Sequence, residues 1–91
     1  MLFEWDDRKA ARNVAKHGVP FEYAARVFLD PHRLESEDNR HHGEQRRLTL
    51  GKIEGRLFAV AYALRGQVLR LISARKANAR EQRKYDETLS T

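Results

Sequence analysis

Ninety-one residues without a cysteine exclude a disulfide-stapled scaffold and a thiolate metal site. A chain of this size forms one modest core, burying roughly 60–65% of its unfolded surface. No apolar run approaches the roughly 20 residues of a membrane span, and no signal-peptide pattern follows Met1, so the expected location is the cytoplasm, without a membrane partner.

With 41% hydrophobic and 34% charged residues the composition suits a soluble globular domain. The net charge of +5 is unevenly spread. Residues 1–43 hold seven Lys/Arg against eight Asp/Glu, and residues 44–91 hold eleven against five. A near-neutral front and a basic back point to one basic face and a polyanionic partner.

Leu2 to Trp5 reads as a short strand with Phe3 and Trp5 on one face. Asp6 is a good N-cap for a helix near 6–17, whose apolar stripe is Ala10, Ala11, Val14 and Ala15. Gly18 suits the end of that helix, and Pro20 opens a second one near 20–29. Phe21, Ala24, Ala25 and Phe28 give it a core-facing stripe, and Asp30-Pro31 ends it.

Residues 32–36 are a candidate strand, and 37–43 read as an exposed loop. A meander follows: Gln45–Ile53, a turn at Glu54-Gly55, Arg56–Leu64, a turn at Arg65-Gly66, and Val68–Ala74. In its second arm Phe58, Val60, Tyr62 and Leu64 face one way, and Leu57, Ala59, Ala61 and Ala63 the other. In the third, ideal alternation puts Leu69, Leu71, Ser73 and Arg75 on a common face.

From Asn78 the composition turns helical, over about 78–89, with Asn78 and Glu81 spaced as a capping box. Arg70, Arg75, Lys76, Arg80, Arg83 and Lys84 crowd this strand-to-helix handover. Helical spacing separates Arg80 and Lys84 from Ala77, Glu81 and Tyr85. The layout is α+β in a single domain over residues 1–91.

Nearly the whole chain resembles the BrnT-type toxins of type II toxin–antitoxin pairs. The likeness runs through Phe3-Glu4-Trp5-Asp6, Lys9, Asn13, Lys16-His17-Gly18-Val19 and Phe21-Glu22. It continues through Ala24, Phe28, Asp30-Pro31, Gly43-Glu44, Arg46, Gly51, Gly55-Arg56 and Arg65-Gly66. It closes on Arg70-Leu71-Ile72-Ser73-Ala74-Arg75, Ala77, Glu81, Arg83 and Tyr85. Two positions depart from that pattern: Leu64 stands where a polar or acidic residue is common, and Arg47 where an apolar one is.

The resemblance implies a RelE-like fold: a small twisted antiparallel sheet with an N-terminal helix pair and a C-terminal helix. It implies metal-independent RNA cleavage, with no cofactor, that inhibits translation. It further implies a BrnA-type ribbon-helix-helix antitoxin, through which the complex binds operator DNA. Such cleavage needs a base for the 2′-hydroxyl, donors for the phosphorane and an acid for the 5′-oxygen.

Arg46, Arg56, Arg65 and Arg75 lie at strand ends and match the motif, and arginine's fork suits phosphate. Each is otherwise a solvated cation. Glu44 is a candidate base or a loop-edge ion pair. Tyr85 either serves RNA, by stacking or proton donation, or packs on the sheet. Lys16, His17, Lys76, Arg80, Arg83 and Lys84 are RNA-contact candidates, with His17 first a helix-end residue. His41 and His42 beside Glu37 and Asp38 do not make a convincing metal site. The competing reading is a non-catalytic nucleic-acid- or antitoxin-binding module.

Overall fold

The computed structural model describes residues 1–38 and 45–90. The chain runs β1 (Leu2–Glu4), α1 (Asp7–His17) and α2 (Phe21–Ala24), the last continuing as a 3₁₀ helix, Ala25–Leu29. Then come β2 (Leu34–Asp38), β3 (Arg46–Ile53), β4 (Arg56–Arg65), β5 (Val68–Lys76) and α3 (Ala79–Leu89). The five strands form one sheet in the order β1-β5-β4-β3-β2. No helix among the described residues is long and apolar enough to cross a membrane.

The fold is α+β, as the sequence implied, with the expected antiparallel meander at its centre. The sheet is mixed, however: β2–β5 are antiparallel, and β1 joins β5 in parallel. Only Trp5 and Asp6 separate β1 from α1, and α1 packs on β5. A helix that starts so close and must lie over β5 leaves β1 the free edge beside that strand.

Local signals explain the elements. The Asp6 carboxylate accepts from the backbone N–H groups of Arg8 (2.8 Å) and Lys9 (3.2 Å), capping α1. Those two bonds hold its pKa below the ordinary value. Gly18, with φ 72°, adopts the left-handed turn that ends the helix. At α3 both halves of the capping box form between Asn78 and Glu81.

Two cores sit on opposite faces of the sheet. On the inner face α2 and its 3₁₀ extension bury Phe21, Ala24, Val27 and Phe28 against Phe58, Val60, Tyr62, Leu69, Leu71 and Ala74. Edge-to-face rings tie the layers together, with Phe28 and Tyr62 centroids 5.0 Å apart and Tyr23 and Phe58 5.8 Å apart. Each such pair adds about 0.5–1.5 kcal/mol beyond its buried area. The opposite face carries a smaller cluster, Leu50, Leu57, Ala59 and Tyr85, where α3 lies down. That helix lies over the Leu57 end, and at the other end the outer-face residue Ala63 is also fully buried.

Two expectations are corrected. Of the expected α1 stripe Ala10, Ala11, Val14 and Ala15, only Ala10 packs against the core. Val14 is 45% exposed, Ala11 and Ala15 face solvent, and the helix buries Asn13. Asn13 is polar but fully used. Its Nδ2 donates to the carbonyls of Val19 (2.9 Å) and Ala74 (2.8 Å), and its Oδ1 accepts from Ala74 N–H (3.0 Å). Nor do Ser73 and Arg75 share a face with Leu69 and Leu71. Ala61 pairs with Ser73 but Tyr62 pairs with Leu71, so Ile72 is an extra residue, a β-bulge. The bulge reverses the alternation and sends Ser73 and Arg75 to the outer face.

Candidate nucleic-acid interface

One row of residues crosses the outer face at the end away from Leu57. In register it reads Asp38, Arg46, Ala63, Arg70 and Glu4, one from each strand. Neighbouring strands lie about 4.8 Å apart, so the backbones of Arg46 and Arg70 are roughly 10 Å apart with only a methyl group between them. That spacing lets two long guanidinium side chains meet over Ala63. The adjoining row, Ser36, Leu48, Ala61 and Ser73, has three small residues. Arg65, two residues beyond Ala63 on the same face of β4, is exposed at the rim.

Arg70 Nη1 donates to Glu4 Oε2 at 3.2 Å, with 23% of the Arg70 side chain and 40% of the Glu4 side chain exposed. Arg46 Nε is buried without a hydrogen-bond partner among the described residues. Arg47 Nε, on the inner face opposite Tyr62, is left in the same way.

Arg75 shares the outer face but stands two rows away, opposite Ala59. Its fork is engaged: Nη1 and Nη2 donate to Glu81 Oε1 (2.8 Å) and Oε2 (3.0 Å). The Arg75 guanidinium, with help from Asn78 N–H and against the effect of burial, holds the Glu81 carboxyl below its ordinary pKa. Arg75 thereby ties β5 to the first turn of α3.

Tyr85 is 2% exposed, packs against Leu50, Leu57 and Ala59, and donates its hydroxyl to Asp30 Oδ2 at 2.6 Å. Burial, then the bond to Asp30, pushes the hydroxyl up to about 12. Asp30 also accepts from the N–H groups of Lys52 and His32, both at 2.8 Å. Burial acts to raise its pKa, but the Tyr85 hydroxyl and these two donors together hold it low.

Arg56 opens β4 at the opposite end from Arg65, nine residue steps or roughly 30 Å away, and its side of the strand is the inner one. The sheet thus brings Arg46 and Arg65 together, keeps Arg75 nearby, and separates Arg56 from all three. Lys16 and His17 end α1, which packs on the inner face. Lys76 ends β5 on that same side, opposite Phe58. Arg80, Arg83 and Lys84 are exposed along α3. Glu44, like His41 and His42, lies outside the described residues.

Residues 5–81 match the family model of BrnT, the ribonuclease toxin of type II toxin–antitoxin systems. The chain belongs to the BrnT family. No curated protein matches it. Membership makes RNA the target class and an antitoxin the expected partner.

The sequence reading missed Arg70 and Glu4 as site residues. Both were in view, Arg70 as one of the handover cations and Glu4 within Phe3-Glu4-Trp5-Asp6. Five residues separate Arg70 from Arg75, and an odd spacing in a regular strand means opposite faces. Only the bulge at Ile72 brings them to one face.

Proposed function

We propose that this BrnT chain cleaves RNA without a metal, at the outer-face row, and that a ribbon-helix-helix antitoxin neutralises it. Arg46 and Arg70 clamp the scissile phosphate from either side of Ala63, and Arg65 holds a neighbouring one. Arginine stabilises the phosphorane directly through charge-assisted hydrogen bonds, with no ion needed at that step. The 2′-oxygen attacks phosphorus, the bond to the 5′-oxygen breaks, and a 2′,3′-cyclic phosphate and a 5′-hydroxyl result. The carrying observation is the pair of arginines flanking an alanine on one row of the sheet. Arg75 we assign to holding α3, since its fork is occupied.

The antitoxin covers the basic outer face and, as part of the complex, supplies the contacts to operator DNA. The test is single-turnover cleavage of a labelled messenger RNA by the purified protein, with and without EDTA. Arg46→Ala and Arg70→Ala are expected to lose about 10²–10³-fold each, the scale of removing one transition-state donor, and chelation is expected to change nothing. Activity lost with EDTA and restored by Mg²⁺ would replace this chemistry with a metal-assisted one. RNA binding without cleavage would leave a binding module.

A further inference from the structure

Cleavage by the 2′-hydroxyl needs a group to take its proton, and Glu44 is not among the described residues. Asp7, Glu22, Asp86 and Glu87 lie on the helices, off the sheet, and six further carboxylates sort by face and by partner. Glu35 lies opposite Thr49 and Glu37 opposite Arg47, both on the inner face. Glu35 also accepts the Tyr62 hydroxyl at 2.6 Å. Glu81 is engaged by Arg75 and by Asn78 N–H, and Asp6 by the start of α1. Glu54 pairs with Arg26 at the far hairpin, and Asp30 is buried beneath α3.

Two carboxylates stand on the arginine row itself, Asp38 at one end and Glu4 at the other. Glu4 is held 3.2 Å from Arg70 Nη1, yet 40% of its side chain is open to solvent. It is both oriented and accessible, and it stands one strand spacing from the arginine that would hold the phosphate. A base must lie within hydrogen-bond reach of the proton it takes, and a phosphate on Arg70 brings its own ribose to that distance.

We infer that Glu4 is the general base of the reaction, an assignment that rests on the ribonuclease reading above. The Glu4 carboxylate takes the 2′-hydroxyl proton as the bond from the 2′-oxygen to phosphorus forms. The bond from phosphorus to the 5′-oxygen breaks, and that oxygen leaves with its electron pair. The proton reaches it through solvent, so the step is balanced without a further reactant. Arg70 acts twice, fixing the base and binding the phosphate.

The experiment compares wild type with Glu4→Gln, Glu4→Ala and Asp38→Asn on the same labelled messenger RNA. Binding to a 2′-deoxy oligonucleotide, which has no nucleophile, is measured in parallel. A glutamine still accepts a hydrogen bond from Arg70 but is a very poor proton acceptor. Glu4→Gln is expected to lose about 10²–10⁴-fold in cleavage rate, the usual scale for a general base. Its deoxy-oligonucleotide affinity is expected to be unchanged or higher, and added formate is expected to restore part of the Glu4→Ala rate. If Glu4 only positioned Arg70, Glu4→Gln would cleave within about tenfold of wild type and formate would do nothing, which overturns the assignment. A loss confined to Asp38→Asn would move the base to the other end of the row and overturn it equally. A wild-type protein that binds RNA but never cuts it defeats the ribonuclease reading itself, an outcome separate from these.

Discussion

Replacing Arg75 by alanine separates its two possible roles. The guanidinium makes a two-bonded ion pair with Glu81, whose side chain is only 15% exposed, while Arg75 itself is 38% exposed. Hydrogen bonds to charged groups contribute about 1.5–3 kcal/mol when shielded. Fully exposed pairs give about 0.2–1 kcal/mol. A pair this open on one side lies between, at about 1 kcal/mol. Glu81 keeps its bond from Asn78 N–H at 2.9 Å, so the loss is not total. For a domain of this size 1 kcal/mol corresponds to about 4–8 °C in Tm. Arg75→Ala is therefore expected to melt about 4–8 °C lower, and Arg75→Ala combined with Glu81→Gln little lower than either alone, because both remove the same contact. Cleavage measured well below the transition is expected to fall by less than about tenfold, far short of the 10²–10³-fold of a lost phosphorane donor. The assays are thermal melting by circular dichroism and single-turnover cleavage on the same samples. An unchanged Tm with a hundredfold loss of rate would refute the strut and return Arg75 to the phosphate.

Asn13→Ala strips three buried hydrogen bonds and leaves the Ala74 N–H and the Val19 and Ala74 carbonyls unsatisfied. The expected cost is about 2–4 kcal/mol, seen as a loss of roughly 10 °C or more in Tm. Tyr85→Phe removes a buried 2.6 Å bond to Asp30 and acts on both arms of the stability–pH curve. The Tyr85 hydroxyl is raised to about 12 in the fold, so its contribution is whole below the unfolded value of about 10 and is lost as pH rises towards 12. The lowered Asp30 carboxyl contributes above its unfolded value of about 4 and loses that contribution as pH falls. Melting the variant from pH 3 to 11 is expected to show lower stability at neutrality, a shallower alkaline fall, and a weaker acid dependence. Identical pH curves for variant and wild type would break the assigned link between Tyr85 and Asp30.

Most of the architecture was legible because its signals are local. Alternation in β4 separated Phe58, Val60 and Tyr62 from Leu57 and Ala59, and the two cores divide along that line. Asp6, Gly18, Asn78 and Glu81 marked helix ends through backbone chemistry that acts within three residues. What stayed hidden depends on partners distant in sequence. Asn13 looks like an ordinary polar helix residue until β5, 61 positions later, presents a backbone edge to it. Tyr85 carried a stacking reading because nothing near it in sequence reveals Asp30, 55 positions earlier.

The candidate site was partly legible for the same reason. Residue type alone nominated the arginines, but which of them meet is decided by register. Arg46 and Arg65 fall together because β3 and β4 form a regular hairpin. Arg70 joins them through the equally regular start of the β4–β5 hairpin, where Arg65 pairs with Val68 and Ala63 with Arg70; Arg75 reaches this face only through the irregularity at Ile72. Pairing with β1 ends at Arg70, and the Asn13 clamp takes both backbone groups of Ala74. Between these fixed points no strand among the described residues pairs with β5 on its β1 side, and β5 accommodates one residue more than β4 requires. The extra residue is Ile72. The buried asparagine on the inner face thus holds Ser73 and Arg75 on the outer face with Arg70. In this chain the helix pair contributes to the basic face without touching it.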